Sequence, residues 1–125
     1  MISITPWLRT VVLLGLSMVV APLAAEPASI AVIGTGRVGT ALGPRFAELG
    51  MEVIYGSRNP SKPAVVELVA KTGNNARAAS QTEAAQAADW IVLAVPWTAM
   101  ESLMPTLGPL DGKIIIDITN AIGAG

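Results

Sequence analysis

The 125-residue chain contains no cysteine and no histidine. Without cysteine it forms no disulfide, offers no thiolate to a metal ion and has no cysteine nucleophile. Without histidine it lacks the imidazole group for acid–base catalysis and for metal ligation. The formal net charge is only -1, so the charge balance gives no indication of binding to nucleic acid or to an anionic membrane surface.

Charged residues are scarce near the amino terminus, where Arg9 is the one charged side chain among the first 25 residues. Residues 11–25 (VVLLGLSMVVAPLAA) form an apolar run that ends in two alanines before Glu26. This pattern is typical of a secretory signal peptide. It predicts a signal peptide over residues 1–25 and an exported, periplasmic protein. The run is shorter than the roughly 20 residues that a membrane span needs; an uncleaved anchor and a cytoplasmic protein without functional targeting are the alternatives.

Apolar runs and amphipathic segments alternate through residues 28–125, which we predict to be one dinucleotide-binding domain. Strands are predicted at 29–33, 52–56, 76–79, 90–95 and 113–118, and helices at 38–49 and 64–72 and after two capping boxes, Ser80 with Glu83 and Thr98 with Glu101. Apolar strands separated by helices predict a parallel sheet covered on both faces. The fold class is therefore α/β, a doubly wound sheet in the order 3-2-1-4-5.

A glycine-rich loop joins the first strand to the first helix. Its sequence is Gly34-Thr35-Gly36-Arg37-Val38-Gly39, which matches G-x-G-x-x-G in the strand–loop–helix context of a dinucleotide site. The first glycine permits a sharp turn, the second lets the backbone approach a pyrophosphate, and the third lets the helix pack close to the sheet. The N–H groups of the first helical turn favour the phosphates. The alternative is a glycine-rich turn that binds no ligand.

The second strand ends without the carboxylate that would bind the ribose hydroxyls of NAD. Gly56 and Ser57 stand there instead, and Arg58 follows. An arginine at this position can hold a 2′-phosphate through charge-assisted hydrogen bonds and can stack on the adenine ring. The sequence therefore predicts NADP as the cofactor; a solvent-exposed loop arginine is the alternative.

Three segments together resemble a known family. They are IAVIGTGRVGTALGPRFAELGMEVIYGSRNP, ADWIVLAVPW and GKIIIDITN, and they resemble the NADP-binding domain of the coenzyme F420-dependent NADP oxidoreductases over about residues 29–122. These enzymes are deazaflavin-linked NADPH reductases, and a similar domain serves as the NADPH module of some membrane ferric reductases. The resemblance implies a Rossmann-type fold.

The resemblance also implies a set of site residues. Gly34, Thr35, Gly36, Arg37 and Val38 would line the pyrophosphate, Ser57 and Arg58 would take the 2′-phosphate, Ala94, Val95 and Pro96 would border the ribose and nicotinamide, and Asn120 would lie near the nicotinamide. Two features depart from the family pattern. Ala121 stands where members carry a proline after the asparagine, and the helical carboxyl-terminal region that helps form the second-substrate site and the dimer is not in this sequence.

Hydride transfer needs proximity and orientation rather than a nucleophile or a metal ion, because the cofactor supplies the chemistry. We therefore expect an NADP-dependent oxidoreductase that passes hydride between NADP(H) and a deazaflavin, flavin or similar partner. One nicotinamide face would lie open unless a second copy or a partner chain covers it. The alternatives are a non-catalytic dinucleotide-binding module and a truncated reductase.

Two side chains outside these motifs also receive interpretations. Asp117, at the end of the fifth strand, is predicted to cap the following turn rather than to act in catalysis. Trp97 is predicted either to form a wall of the cofactor pocket or to be buried at the start of a helix.

Overall fold

The computed structural model describes residues 26–120, and the predicted signal peptide lies outside the described residues. The strands are β1 (Ser29–Ile33), β2 (Glu52–Gly56), β3 (Arg77–Ala79), β4 (Trp90–Leu93) and β5 (Ile114–Asp117). All of the strand pairs are parallel, and the order in the sheet is β3-β2-β1-β4-β5. The predicted doubly wound α/β sheet is thus confirmed.

Helices connect the strands in sequence. They are α1 (Arg37–Glu48), α2 (Pro63–Thr72), α3 (Gln81–Ala87) and α4 (Met100–Leu103), with 3-10 turns at Trp97–Ala99 and Met104–Leu107. None of these helices, which cover the described part of the chain, is long and apolar enough to cross a bilayer.

Side-chain alternation along the strands builds a hydrophobic core on each face of the sheet. In β1, Ile30 and Val32 point to one face and pack with Ala47 of α1 and Leu68 of α2. On the opposite face, a second core combines strand residues with α3, α4 and the 3-10 turn after it; its members are Ala31, Ile33, Ile54, Ala79, Ala84, Ala85, Ala88, Ile91, Leu93, Leu103 and Leu107. Because Ile30 to Ile33 of β1 are completely buried between these layers, the carboxyl end of the strand supports the loop that follows.

One polar network lies within the first core. The Tyr55 hydroxyl is 2.6 Å from the Thr72 hydroxyl, which itself donates a hydrogen bond to the Leu68 carbonyl at 2.7 Å. Burial raises the pKa of the Tyr55 hydroxyl. Gly43 of α1 lies directly over this ring, and a Cβ there would collide with the tyrosine hydroxyl. The network therefore fixes α1 and α2 against β2.

The two predicted capping boxes have different outcomes. At α3 the box is formed, because Ser80 Oγ accepts from the Glu83 N–H at 3.1 Å and the Glu83 carboxylate accepts from the Ser80 N–H at 3.2 Å. The prediction at Thr98 is wrong. Pro96 starts a 3-10 turn, so Thr98 lies inside that turn, and Ala99 precedes α4 without a side-chain cap.

The prediction that the sheet is covered on both faces is wrong at one edge. Within residues 26–120, Ile114 and Ile115 of β5 remain 49% and 42% exposed. The predicted fourth strand is also too long, since β4 ends at Leu93. Ala94 and Val95 consequently leave the sheet and become available to the cleft described next.

Candidate dinucleotide-binding site

A cleft of about 660 Å³ opens at the carboxyl ends of β1, β2 and β4. The strand order places β2 and β4 on opposite sides of β1. In open α/β sheets this reversal of direction leaves a crevice between the connecting segments, and ligands bind there. The residues that line the cleft are Gly34, Thr35, Gly36, Gly56, Ser57, Arg58, Asn59, Lys62, Gln81, Ala94, Val95, Pro96, Ala99, Ser102, Leu103 and Thr106.

The fold itself requires two of the three motif glycines. Gly34 has φ +107°, a conformation that disfavours side chains, and a Cβ on it would lie 2.5 Å from the Ala94 carbonyl oxygen. A Cβ on Gly39 would collide with the Gly34 carbonyl oxygen. These glycines allow α1 to start tightly against β1 and β4, whether or not a ligand is bound.

The fold does not require the remaining glycine, Gly36. Its backbone is extended, with φ -78° and ψ -161°, and no protein atom lies within 4 Å of a Cβ built on it. Gly36 lines the cleft and is the N-cap of α1, which begins without a side-chain cap and without an acidic residue in its first turn. A glycine at this position leaves space for a ligand that approaches the backbone closely, as a pyrophosphate does. The loop therefore fits a dinucleotide.

The loop after β2 forms the second wall of the cleft. The Ser57 N–H donates to the Ala79 carbonyl at 3.0 Å, and the Ser57 hydroxyl, which is mostly buried, accepts from the Asn59 N–H at 3.1 Å. The Asn59 carboxamide in turn accepts from the Ser61 hydroxyl at 3.0 Å. These bonds hold the loop in a fixed turn, so the backbone of Arg58 has a fixed position at the rim of the cleft.

Two cations line the cleft at this loop, Arg58 and Lys62. In the described part of the chain neither has a carboxylate within 4 Å, since the ion pairs join Arg45 to Glu48 and Arg77 to Glu52. Among residues 26–120, no aspartate or glutamate lines the cleft. This end of the cleft is therefore positive and suited to an anionic group.

Lys62 was not among the residues predicted from sequence. It follows Arg58 by four positions and immediately precedes Pro63, the first residue of α2. The presence of a second cation in the same loop as Arg58 is visible in the sequence and could have indicated this residue. Gln81, Ser102 and Thr106 carried no such signal, because α3 and α4 reach the cleft only through the tertiary fold.

The third wall comes from the end of β4 and the segment after it. Ala94, Val95 and Pro96 line the cleft as the resemblance implied, and the Ala94 N–H donates to the Ile33 carbonyl at 2.9 Å. Their side chains are aliphatic and offer no proton donor or acceptor. Position and shape are all that these side chains can provide to a ligand.

The structure does not bring every predicted residue to the cleft wall. Arg37 and Val38 are exposed residues of the first turn of α1. The backbone N–H groups of this turn, rather than the two side chains, point toward the start of the helix. Gly39 is buried beneath the loop. Asn120 follows β5, is exposed and does not line the cleft.

The two interpreted side chains outside the motifs also have definite positions. Asp117 accepts hydrogen bonds from the Thr119 hydroxyl at 2.5 Å and from the Thr119 N–H at 2.8 Å, and these bonds lower the pKa of the Asp117 carboxyl. Its predicted role in capping the turn is confirmed. Both interpretations of Trp97 are wrong, because its side chain is 45% exposed and does not line the cleft. No three acidic side chains in residues 26–120 form a group that could hold a metal ion.

Comparison with known proteins gives consistent matches. The profile of the family described as NADP oxidoreductase, coenzyme F420-dependent, matches residues 29–121. The F420-dependent NADP reductase of Methanothermobacter thermautotrophicus is 39% identical over 97 residues, which cover 72% of this chain and 42% of that protein. A solved structure from Arthrobacter sp. FB24, named as a candidate F420-dependent NADP reductase, is 31% identical with a TM-score of 0.65, and the match covers 73% of this chain and 44% of that one.

A more distant match shares the fold. Pyrroline carboxylate reductase of Plasmodium falciparum, solved with NADP bound, is 24% identical with a TM-score of 0.59, over 77% of this chain and 35% of that one. The chain spans less than half the length of the curated relative it matches. Since the family profile covers most of the chain and confirms the resemblance seen in its motifs, the chain belongs to the family of coenzyme F420-dependent NADP oxidoreductases.

Proposed function

We propose that the chain binds NADP(H) and positions its nicotinamide for hydride transfer to or from a deazaflavin, flavin or similar partner. The observation that carries the proposal is the pair of cations, Arg58 and Lys62, in a cleft that no carboxylate lines. A carboxylate in that position would bind the ribose hydroxyls of NAD and would repel a 2′-phosphate. Family membership supports the same cofactor, since the curated relative is named an NADP reductase.

Each wall of the cleft has a distinct task in this proposal. Gly36 and the first turn of α1 hold the pyrophosphate through backbone N–H groups. Arg58 and Lys62 hold the 2′-phosphate, and Ser57 keeps their loop in place through its bond with Asn59. Ala94, Val95 and Pro96 flank the nicotinamide half and exclude water from one side of it.

When bound, NADPH supplies a hydride from its nicotinamide ring. The residues that line the cleft include no carboxylate and, in a chain without histidine, no imidazole. The chain therefore contributes binding and orientation, which suffice for hydride transfer between two closely held rings. We propose that a second copy or a partner chain covers the reacting face of the nicotinamide. From the signal-like segment at residues 1–25 we also propose that the protein is exported from the cytoplasm. Mass spectrometry of the protein should then find a new amino terminus near Glu26.

The test is oxidation of NADPH by the purified full chain with coenzyme F420 or a free flavin as acceptor, monitored by the absorbance of the reduced nicotinamide. We expect turnover that depends on the acceptor and is faster with NADPH than with NADH. Tight NADPH binding without oxidation under any acceptor would instead support a non-catalytic dinucleotide-binding module. Absence of NADPH binding would contradict the proposal altogether.

A further inference from the structure

Helix α3 carries two glutamines with different surroundings. The Gln86 amide donates to the Leu107 carbonyl at 2.7 Å and to the Pro109 carbonyl at 2.9 Å, so its hydrogen bonds hold the fold together. Gln81 lines the cleft, and its side chain makes no hydrogen bond with any of residues 26–120. A polar side chain in a cleft wall whose hydrogen bonds are unused is available to a ligand.

The fold fixes the position of Gln81 relative to the two cations. A Cβ built on Gly56 would lie 3.2 Å from the Gln81 Cα, so the start of α3 packs directly against the last residue of β2. Gly56 immediately precedes the Ser57 and Arg58 pair. The capping box formed by Ser80 holds the first turn of α3 in this place. Gln81 is therefore a fixed neighbour of the loop that carries Arg58.

The cleft lining also includes two hydroxyl groups, and both already donate hydrogen bonds to backbone carbonyls. Ser102 Oγ donates to the Ala99 carbonyl at 3.1 Å, and Thr106 Oγ1 donates to the Leu103 carbonyl at 2.7 Å. Both hydroxyls can therefore offer only lone pairs to the cleft. The carboxamide of Gln81 offers one acceptor and one donor group.

We propose that Gln81 recognises the adenine base and makes the site selective for a 6-aminopurine over a 6-oxopurine. The inference rests on the proposed binding of NADP. The base and the 2′-phosphate are attached to adjacent carbons of one ribose, so a 2′-phosphate held by Arg58 and Lys62 brings the base beside Gln81. The N6–N7 edge of adenine presents an amino donor next to a ring-nitrogen acceptor, a pair that a glutamine carboxamide binds through two hydrogen bonds, and this is the edge that we assign to Gln81.

A 6-oxopurine fits the same wall poorly. On its O6–N7 edge it carries a carbonyl in place of the amino group, so two acceptors face the Gln81 carboxamide, and turning the carboxamide round does not supply the missing donor. One of the two hydrogen bonds to Gln81 is then lost, and the Gln81 carbonyl oxygen is left without a donor. The selectivity follows from hydrogen bonding alone, because the two bases have nearly the same shape.

The test compares NADPH with its hypoxanthine analogue, deamino-NADPH, by calorimetric titration of the full chain. We expect NADPH to bind about tenfold more tightly, the effect of one well-placed bidentate contact. In Gln81→Met, which keeps the length and loses the polar atoms, the two dinucleotides should bind equally. The preference for NADPH over NADH should persist in that variant, because it depends on Arg58. Gln86→Met is the matched control on the same helix, and we expect it to lower the melting temperature without altering the choice of base.

Two results would overturn the inference while leaving the proposed cofactor intact. One is equal binding of NADPH and deamino-NADPH by the unmodified chain, and the other is an unchanged base preference in Gln81→Met; in both, NADPH would still bind better than NADH. Failure of the unmodified chain to bind NADPH would overturn the proposed function, and the inference with it.

Discussion

At the carboxyl end of β2 the cleft presents two cations and a glutamine, whereas at the carboxyl end of β4 it presents Ala94, Val95 and Pro96. The first end can recognise a nucleotide by charge and by hydrogen bonds. The side chains of the second end carry no polar group and can only shape the space beside a ring. Under the proposed function, the first end recognises the adenosine half of the cofactor, and reaction at the nicotinamide half depends on a further chain that covers it.

The largest effect is expected at the point between the two ends, where the pyrophosphate would lie. In Gly36→Val the side chain enters the cleft and blocks the approach of any dinucleotide to the backbone. Binding of both NADPH and NADH should fall below calorimetric detection. The fold should persist, because no protein atom lies within 4 Å of the Cβ position.

Gly39→Val is the matched control, because a Cβ there collides with the Gly34 carbonyl oxygen. This variant should lose both its binding and its cooperative thermal transition. If Gly36→Val melts as poorly as Gly39→Val, the glycine serves the fold, and its assignment to the ligand is wrong.

Arg58→Ala addresses the adenosine end alone. A charge-assisted hydrogen bond contributes about 1.5–3 kcal/mol, which corresponds to roughly ten- to a hundredfold in affinity. NADPH should therefore bind about ten- to a hundredfold more weakly to this variant, while NADH binding should hardly change. Calorimetric titration with both nucleotides measures the two affinities. Equal losses for NADPH and NADH would mean that Arg58 supports the loop rather than the 2′-phosphate.

Lys62→Ala should produce a smaller effect of the same kind. The lysine is exposed and acts as a point charge, so its contribution is screened by salt. We expect roughly a threefold to tenfold loss of NADPH affinity at low salt, and less at high salt. Lys71→Ala is the control, since Lys71 lies in the last turn of α2, the helix that Lys62 precedes, and does not line the cleft. A similar loss in both variants would show a general charge effect instead of a specific contact.

The smallest effect is expected at the β4 end. Pro96→Ala removes part of an aliphatic wall without removing any hydrogen-bond donor, so both nucleotides should lose at most about threefold in affinity. The ratio between NADPH and NADH should not change. A shift of that ratio in Pro96→Ala would show that the two ends of the cleft are not independent, and would break the comparison made above.

The sheet and the glycine loop could be predicted from sequence because local patterns determine them. Apolar runs such as that of β4 (Trp90–Leu93), bounded by turn residues, indicate buried strands. The spacing of Gly34, Gly36 and Gly39 indicates a dinucleotide loop. In both cases the residues that decide the structure are neighbours in the chain.

Other features depend on contacts between distant segments and could not be predicted in that way. Gln81 reaches the cleft only because Gly56, 25 positions earlier, leaves space for α3 against β2. The failed capping box at Thr98 depends on the preceding proline, which starts a tighter turn. The exposure of β5 depends on which segments pack against it, and a strand made of isoleucines has the same sequence pattern whether or not it is covered.

The central claim is that the β2 end of the cleft selects the 2′-phosphate. Calorimetric titration of the unmodified full chain with NADPH and with NADH, at one salt concentration, tests it most directly. The predicted result is that NADPH binds at least about tenfold more tightly than NADH, as one charge-assisted hydrogen bond requires. Equal affinities would contradict the account, because Arg58 and Lys62 would then be surface cations without a role in choosing the cofactor.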